Sequence, residues 1–301
     1  MLLVEPSIPL TVASTNVAAS SAAAWASGTS YTTGDIARHH AAGDAYEHEW
    51  QASQDHSGQE PSRGSDYWID NGPVNQWRMF DGYNNSATVA DDPGGDIVVE
   101  VTLSSRLSHV YLLGLRDVAQ IAIEQIVEGT TVATHTSDLV MMFTPVGWWS
   151  HFFGERVYSG FFSLNLYGIY VEQTIRITLT GYPTAKCAQC LVGKGYEIGT
   201  TGDRAQPRLR SFSTFEAGTF GYRYVPRINT RGGTYTVYLD THEIDRVFQL
   251  MERKMESLVV LDANNENNSF DAAIGYGKIV DFRPTISYGK SAFEIKLDGL
   301  N

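Results

Sequence analysis

The chain of 301 residues is longer than a usual single domain, and its 43% hydrophobic and 19% charged residues are typical of a folded protein. A net charge of −12 argues against a protein that wraps nucleic acid, because such binding needs Lys and Arg spread over one face. No run of 18 apolar residues occurs, so we expect no membrane span, and the start MLLVEPSIPL lacks the basic residues of a signal peptide, so we expect synthesis in the cytosol.

The 28 glycines and 12% aromatic residues favour turns and strands, and therefore a mainly β fold. Composition divides the chain into four segments. Residues 1–20 show no pattern and are predicted to be a flexible N-terminal arm. A small aromatic β module is expected at 21–78, a β-sandwich at 79–185 and a C-terminal α+β assembly domain at 186–301. We therefore expect a multidomain protein.

Alternation of apolar and polar residues predicts the main strands. In the sandwich these are DIVVEVTL (96–103), HVYLLGL (109–115), QIAIEQIV (120–127) and QTIRITLT (173–180). In the C-terminal domain they are TYTVYLD (234–240) and SAFEIKLDGL (291–300). Within TYTVYLD, the residues Tyr235, Val237 and Leu239 share one side of the strand. This side is expected to be buried under a helix.

That helix is predicted to follow residue 240 and to be amphipathic. Asp240 is the candidate N-cap, and Glu243 follows three residues later, as in a capping box. One face carries apolar residues at helical spacing, namely Ile244, Val247, Phe248, Met251 and Met255. Such a stripe is more often core than a cofactor pocket, so we expect the helix to pack on a sheet.

Residues 24–72 combine aromatic and turn residues in a recognisable order. Their order resembles the small chitin-binding modules of carbohydrate-binding families five and twelve, through Ala24-Trp25, Tyr31, Gly34-Asp35, Tyr46, Trp50, Pro61 and Trp68. The resemblance implies a compact three-stranded fold that binds sugar by stacking exposed rings on pyranose faces. Trp50 and Tyr67 or Trp68 are the candidate rings. The alternative is that Trp25, Tyr31 and Trp68 fill the minimal core of the module.

A second resemblance begins where this module ends. In NQWRMFDGYNNSAT (75–88), the residues Trp77, Met79, Phe80 and Asp81 form a W-x-M-F-D segment similar to one in phage tail proteins, and SYGKSAFEIKLDGL (287–300) is similar to the end of their C-terminal domain. The resemblance implies a structural virion protein of a tail tip or baseplate, assembled in the host cytoplasm. Its partners would be other tail proteins, copies of itself in a ring, and a host surface glycan.

The alternative interpretation belongs to a different class of protein: a secreted carbohydrate-binding protein, or an accessory module of a glycan-degrading enzyme.

A basic segment of the sequence is relevant to which partner the chain binds. Glu216 is the one acidic residue among six arginines, Arg204, Arg208, Arg210, Arg223, Arg227 and Arg231. These are either solvated surface residues or a patch that meets the acidic surface of an adjacent subunit.

Motifs for catalysis, metals and cofactors are incomplete. Asp91-Asp92 belongs to a turn-like DDPGG, and nothing in the sequence places Asp66 and Asp70 across a cleft. The histidines lack the helical HExxH spacing, although His39, His40, His48 and His56 accompany Glu47 and Glu49. DANNENNSFD (262–271) lacks the glycine and the glutamate of a calcium loop. We expect no enzyme activity, no cofactor and no metal.

The two cysteines, Cys187 and Cys190, form a single CxxC. A thioredoxin-like pair opens a helix after a strand, whereas this pair precedes LVGKGYEIG, which alternates like a strand. Two structural thiols are therefore favoured over a redox pair.

Overall fold

The computed structural model describes residues 1–82, 86–92, 94–141, 147–149, 157–168, 170–211, 213–218, 221–225, 229–264 and 270–300. Strands make up 57% of the structure and helical segments 9%, which confirms the mainly β fold. None of the helices in the described ranges is long and apolar enough to cross a membrane.

The strands are numbered in chain order. The first nine are β1 (Leu2–Pro6), β2 (Thr11–Thr15), β3 (Ala23–Ala24), β4 (Ser30–Tyr31), β5 (Ile36–His39), β6 (His48–Ala52), β7 (His56–Ser57), β8 (Trp68–Pro73) and β9 (Thr88–Val89). The next nine are β10 (Ile97–Leu103), β11 (His109–Leu113), β12 (Arg116–Val127), β13 (Thr130–Asp138), β14 (Val140–Met141), β15 (Val157–Tyr158), β16 (Phe161–Asn165), β17 (Gln173–Cys187) and β18 (Gln189–Glu197).

The C-terminal part contributes seven strands and helix α1 (Ile244–Lys254). Its strands are β19 (Thr200–Ser211), β20 (Thr214–Gly218), β21 (Gly221–Val225), β22 (Asn229–Asp240), β23 (Leu258–Asp262), β24 (Ile274–Thr285) and β25 (Lys290–Gly299). Short 3₁₀ helices occur at Asn75–Phe80, Thr241–Glu243 and Asp271–Ala273. The strands predicted by alternation are all present, within β10, β11, β12, β17, β22 and β25.

A nine-stranded antiparallel sheet forms the centre of the fold. Its order is β16-β11-β18-β1-β23-β24-β25-β22-β19. Strand β1 pairs with β18 on one side and with β23 on the other, and β2 pairs with β10 in a second sheet. The expectation of a flexible arm at 1–20 is therefore wrong. Leu3 and Val4 are fully buried on opposite faces of the sheet, because both of these faces are covered.

The second sheet has the order β13-β12-β17-β10-β2, and β9 also pairs with β17. Its inward side chains, such as Val99, Ile121 and Ile177, pack against Val110 of β11 and Val192 of β18 in one core cluster. This packing is the sandwich-like part of the molecule. The nine-stranded sheet takes strands from both sides of residue 186, so the expected sandwich and the expected C-terminal domain share one sheet.

Helix α1 covers a second core on the C-terminal half of the large sheet. Val247 and Met251 are buried there, and Tyr235, Val237 and Leu239 point into the same cluster, as the alternation of β22 predicts. Phe248 is 48% exposed and packs at the rim, with its ring centroid 5.9 Å from that of Phe282.

The start of α1 differs from the prediction. Asp240 makes no side-chain capping bond, because a 3₁₀ turn at Thr241–Glu243 precedes the helix and moves its first residue to Ile244. The capping box predicted from Asp240 and Glu243 is wrong, whereas the helix itself and its packing on a sheet are confirmed.

The N-terminal module contains a four-stranded sheet with the order β3-β5-β6-β8 and a separate β4-β7 ribbon. Only β3 and β5 run parallel among these pairs. The module has its own core cluster, which is formed by Tyr31, Ala37, Ala41, Trp50, Ala52 and Trp68. It therefore has one more strand in its sheet than the resemblance implies.

Candidate functional site

The candidate sugar-stacking rings of the module are mostly buried. Trp50 is fully buried, and its Nε1 donates to the carbonyl of His39 at 3.2 Å. Trp68 is also buried, and its Nε1 donates to the carbonyl of Gln59 at 2.9 Å. Trp50 lies on the inner face of the sheet because β6 buries every second residue, and Trp68 of β8 is on the same face because it pairs with the buried Ala52 of β6. The expectation that Trp50 or Trp68 presents an exposed ring is therefore wrong.

The three residues named as module core lie together. Tyr31 and Trp68 are buried with their ring centroids 5.0 Å apart, and Trp25 packs against the same cluster. Tyr67 is half-buried and contacts the ring of His56 edge-on. Of the candidate stacking rings, Tyr67 alone keeps partial exposure. The outer face of the sheet instead presents Ile36 and Ile69.

Each of the four histidines of the module contacts a different set of residues. His39 pairs with Glu60 at 3.0 Å, His48 with Asp70 at 2.7 Å, and His40 with the backbone carbonyl of Asp44. His56 lies among the rings of Tyr31, Tyr67 and Trp68. In the part of the chain that the structure describes, no group of three or more His, Cys, Asp or Glu side chains is arranged to hold a metal ion.

The two cysteines are free and completely buried at the junction of β17 and β18. The Sγ atom of Cys187 donates to the carbonyl of Gln189 at 3.4 Å. Burial raises the pKa of the Cys187 thiol to about 12, and burial together with the neighbouring Cys187 raises the pKa of Cys190 as well. Both groups stay protonated at neutral pH, which is the state of an unreactive thiol.

Half of the arginines of the basic segment, Arg204, Arg208 and Arg210, belong to β19, which is one edge of the nine-stranded sheet. Residues 206–211 are exposed at every position, so this end of the strand presents both of its faces to solvent. Arg208 and Arg210 are among them, and Arg231 is exposed on the neighbouring β22. Arg227 and the side chains of Arg204 and Arg223 lie outside the described residues. An edge strand of this kind offers unpaired backbone groups to another chain.

Beyond residue 211 the β19–β22 pair continues into a separate two-stranded ribbon, β20–β21. Phe215 on β20 and Tyr224 on β21 are paired in register, with ring centroids 5.3 Å apart. They are 72% and 55% exposed, and Leu209 on the adjoining strand is 67% exposed. We call Leu209, Phe215 and Tyr224, together with Arg208 and Arg210, the hairpin surface.

The arginines of this surface were predicted from the charge pattern of the sequence, whereas its apolar residues were not. Phe215 and Tyr224 lie in a segment that shows no apolar alternation and is rich in arginine. This combination of aromatic residues and arginines is the sequence feature that could have indicated the surface. Exposed aromatic residues that cluster with arginine are typical of protein interfaces.

Next to the hairpin surface lies a groove of about 540 Å³ between β19, β22, β24 and β25. Arg208, Arg283 and Lys296 line it, together with the acidic Asp281 and Glu294. Arg283 and Asp281 form an ion pair at 2.6 Å. Because both signs of charge alternate along its walls, the groove is suited to a polar protein surface rather than to a strongly charged small ligand.

Comparison with known proteins adds no relative. No protein-family model matches the sequence, and a search among curated proteins gives no match.

Proposed function

We propose that this chain is a structural subunit of a bacteriophage tail tip or baseplate, and that it docks onto neighbouring copies of itself through the hairpin surface. The W-x-M-F-D segment at residues 77–81 and the C-terminal SYGKSAFEIKLDGL supply the tail resemblance. The main support for docking is the exposed Phe215–Tyr224 pair, which lies on a ribbon that extends from an edge of the sheet.

Burial of these rings is the physical reason for association. Aromatic side chains bury large areas, and a pair that is exposed in the free chain gains most when a partner covers it. A contact between the hairpin surface and a different surface of the next copy is heterologous, and such contacts close into rings when the rotation allows. This is the symmetry that a subunit of a tail ring needs.

Charge favours another copy of the same chain as the partner. The net charge of −12 gives each copy an acidic surface, while the exposed Arg208 and Arg210 lie on β19, the strand that leads into the aromatic ribbon. Attraction of this kind is screened by salt, so the association should weaken as ionic strength rises.

The test compares two variants by analytical ultracentrifugation over a range of protein and salt concentrations. The double variant Phe215→Ser/Tyr224→Ser removes the aromatic pair. The matched control is Tyr288→Ser, because Tyr288 is fully exposed in the β24–β25 turn, at the opposite end of the sheet. We expect concentration-dependent assembly of the wild type and the control, with loss in the double variant. A wild-type chain that stays monomeric throughout, or a double variant that assembles like the wild type, contradicts the proposal.

We also propose that the N-terminal module contacts a host surface glycan. The order of its aromatic and turn residues supports this, but the burial of Trp50 and Trp68 means that the contact needs a surface other than an aromatic platform. A carbohydrate-binding protein outside any virion is the alternative. It would bind glycan in the same way and would remain unassembled in the ultracentrifugation experiment.

A further inference from the structure

A cleft with a cavity volume of about 1130 Å³ lies where the N-terminal module meets the 3₁₀ helix Asn75–Phe80 and β9. The inner face of the module sheet is aromatic in the core of the module and polar where it borders this cleft. Trp50 is in the aromatic core, whereas His48 and Asp70, which share its face, line the cleft. The volume exceeds the ~300–1,000 Å³ typical of small-molecule pockets, so the cleft has room for a ligand of more than one ring.

Close polar contacts join several of the side chains that line this cleft. His48 Nδ1 lies 2.7 Å from Asp70 Oδ1, and the backbone N–H of Gly72 donates to the same oxygen at 2.8 Å. Arg63 Nη2 lies 2.9 Å from Asp44 Oδ1, and Arg63 Nε lies 3.7 Å from Asp70 Oδ2. These residues come from β6, β8 and two loops, so the folded module brings them together.

Asp44 has a feature that internal packing does not explain. Its side chain is only 3% exposed, and its Oδ2 is buried without a hydrogen-bond partner among the described residues. A buried carboxylate oxygen without a donor is unfavourable, and native proteins keep few such groups. Arg63, which pairs with the other oxygen of Asp44, is 68% exposed. Asp44 and Arg63 both line the cleft, so the unpartnered oxygen lies beside an exposed side chain.

From this geometry we infer that the cleft binds a neutral oligosaccharide, with Asp44 Oδ2 accepting a hydrogen bond from a sugar hydroxyl. The cleft holds Asp44, Asp70 and Asp81 against Arg63 and Arg78, so its charges nearly cancel. An ionic ligand would find little uncompensated charge, whereas hydroxyl groups match the hydrogen-bonding capacity of paired carboxylates and guanidinium groups. Metal ions are disfavoured, since the described side chains form no group of three metal ligands.

Apolar side chains in the lining of the cleft fit the same class of ligand. Ile8, Pro73 and Val89 line the cleft, and such side chains can pack against the C–H faces of pyranose rings. This inference rests on the glycan contact that we propose for the module, and it replaces the aromatic platform with a polar cleft. It does not depend on assembly through the hairpin surface.

The experiment uses the full chain and an array of neutral, anionic and cationic glycans. Binding is then quantified by calorimetry with a neutral oligosaccharide from the array and with its charged counterparts. We expect neutral glycans to bind and Asp44→Asn to weaken that binding at least tenfold.

A second pair of variants distinguishes loss of the binding site from a general effect on folding. Ala45→Phe places a bulky ring in the cleft, because Ala45 is exposed and lines it, whereas Ala42→Phe makes the same change at an exposed position of the same loop that does not line it. We expect Ala45→Phe to abolish binding and Ala42→Phe to preserve it. The inference is overturned if no neutral glycan binds, if only charged glycans bind, or if Ala45→Phe binds like the wild type. Assembly measured by ultracentrifugation should be the same for all these variants, so failure here is distinct from failure of the assembly proposal.

Discussion

The hydroxyl of Tyr111 donates a hydrogen bond of 3.0 Å to Oδ2 of Asp262, which lies 151 residues further along the chain. Tyr111 belongs to β11 and Asp262 ends β23, and three strand pairings separate these strands in the nine-stranded sheet. Burial and the nearby Asp262 raise the pKa of the tyrosine hydroxyl. The bond therefore joins a neutral donor to a carboxylate between distant parts of one sheet.

Replacing this donor should destabilise the sheet. Tyr111→Phe leaves the ring in place and removes the hydroxyl, and hydrogen bonds to charged groups contribute about 1.5–3 kcal/mol. We expect a loss of that size in the free energy of unfolding, measured by urea denaturation. Tyr288→Phe, at a fully exposed position, is the matched control and should change little. Equal stability of the two variants would show that the hydrogen bond contributes nothing.

Trp50 should behave as a core residue of the module. Trp50→Ala leaves a cavity in the cluster of Tyr31, Ala37 and Trp68, and such truncations cost about 3–5 kcal/mol. We expect faster amide hydrogen exchange throughout β5, β6 and β8. Ile69→Ala, on the exposed outer face of β8, should stay within about 0.5 kcal/mol of the wild type. Unchanged exchange in Trp50→Ala would contradict the burial of this ring.

The two cysteines should be inert in the folded chain. Burial raises the pKa of Cys187 to about 12, so its thiolate fraction at pH 8 is very small, and Cys190 is shifted in the same direction. We expect no reaction with a thiol-specific disulfide reagent at pH 8 until denaturant unfolds the chain, after which both cysteines react. Rapid labelling of the native protein would instead indicate a thiol that is accessible and activated.

Stability should fall in alkaline solution. Burial raises the pKa of Tyr46 and Tyr235 to about 12, from an ordinary value of 10.0. The unfolded chain therefore releases these protons at lower pH than the folded chain. The stabilisation that these two tyrosines contribute is complete below pH 10 and is lost as the pH rises from about 10 to 12.

Chemical denaturation across this pH range provides the measurement. Tyr235→Phe should reduce the pH dependence, because it removes one of the groups whose pKa burial raises. The exposed Tyr288→Phe control should follow the wild-type profile. A wild-type stability that is constant from pH 10 to 12 would contradict the shifted tyrosines.

Local sequence patterns predicted the secondary structure well. The alternation of Tyr235, Val237 and Leu239 matches the buried face of β22, and Val247 and Met251 lie on the buried face of α1. These predictions succeed because burial on one side of a strand or helix imposes its period on the sequence.

Strand partners were not predictable in the same way. β1 was missed because five residues, LLVEP, are too few to show a period, and its partners lie near residues 193–197 and 260–262. The burial of Trp50 was also missed. Aromatic residues recur both in cores and on binding surfaces, so only the pairing of β6 with β5 and β8 decides which way this ring points.

The central position of β1 has a consequence for how the protein is made. Its neighbour β18 emerges from the ribosome nearly 200 residues later, and β23 more than 250 residues later. At roughly 5–20 residues per second, translation leaves this strand without its full set of partners for on the order of tens of seconds. A nascent chain of this topology presents an apolar segment to chaperones throughout that interval, and the large sheet can be completed only after β25 has been synthesised.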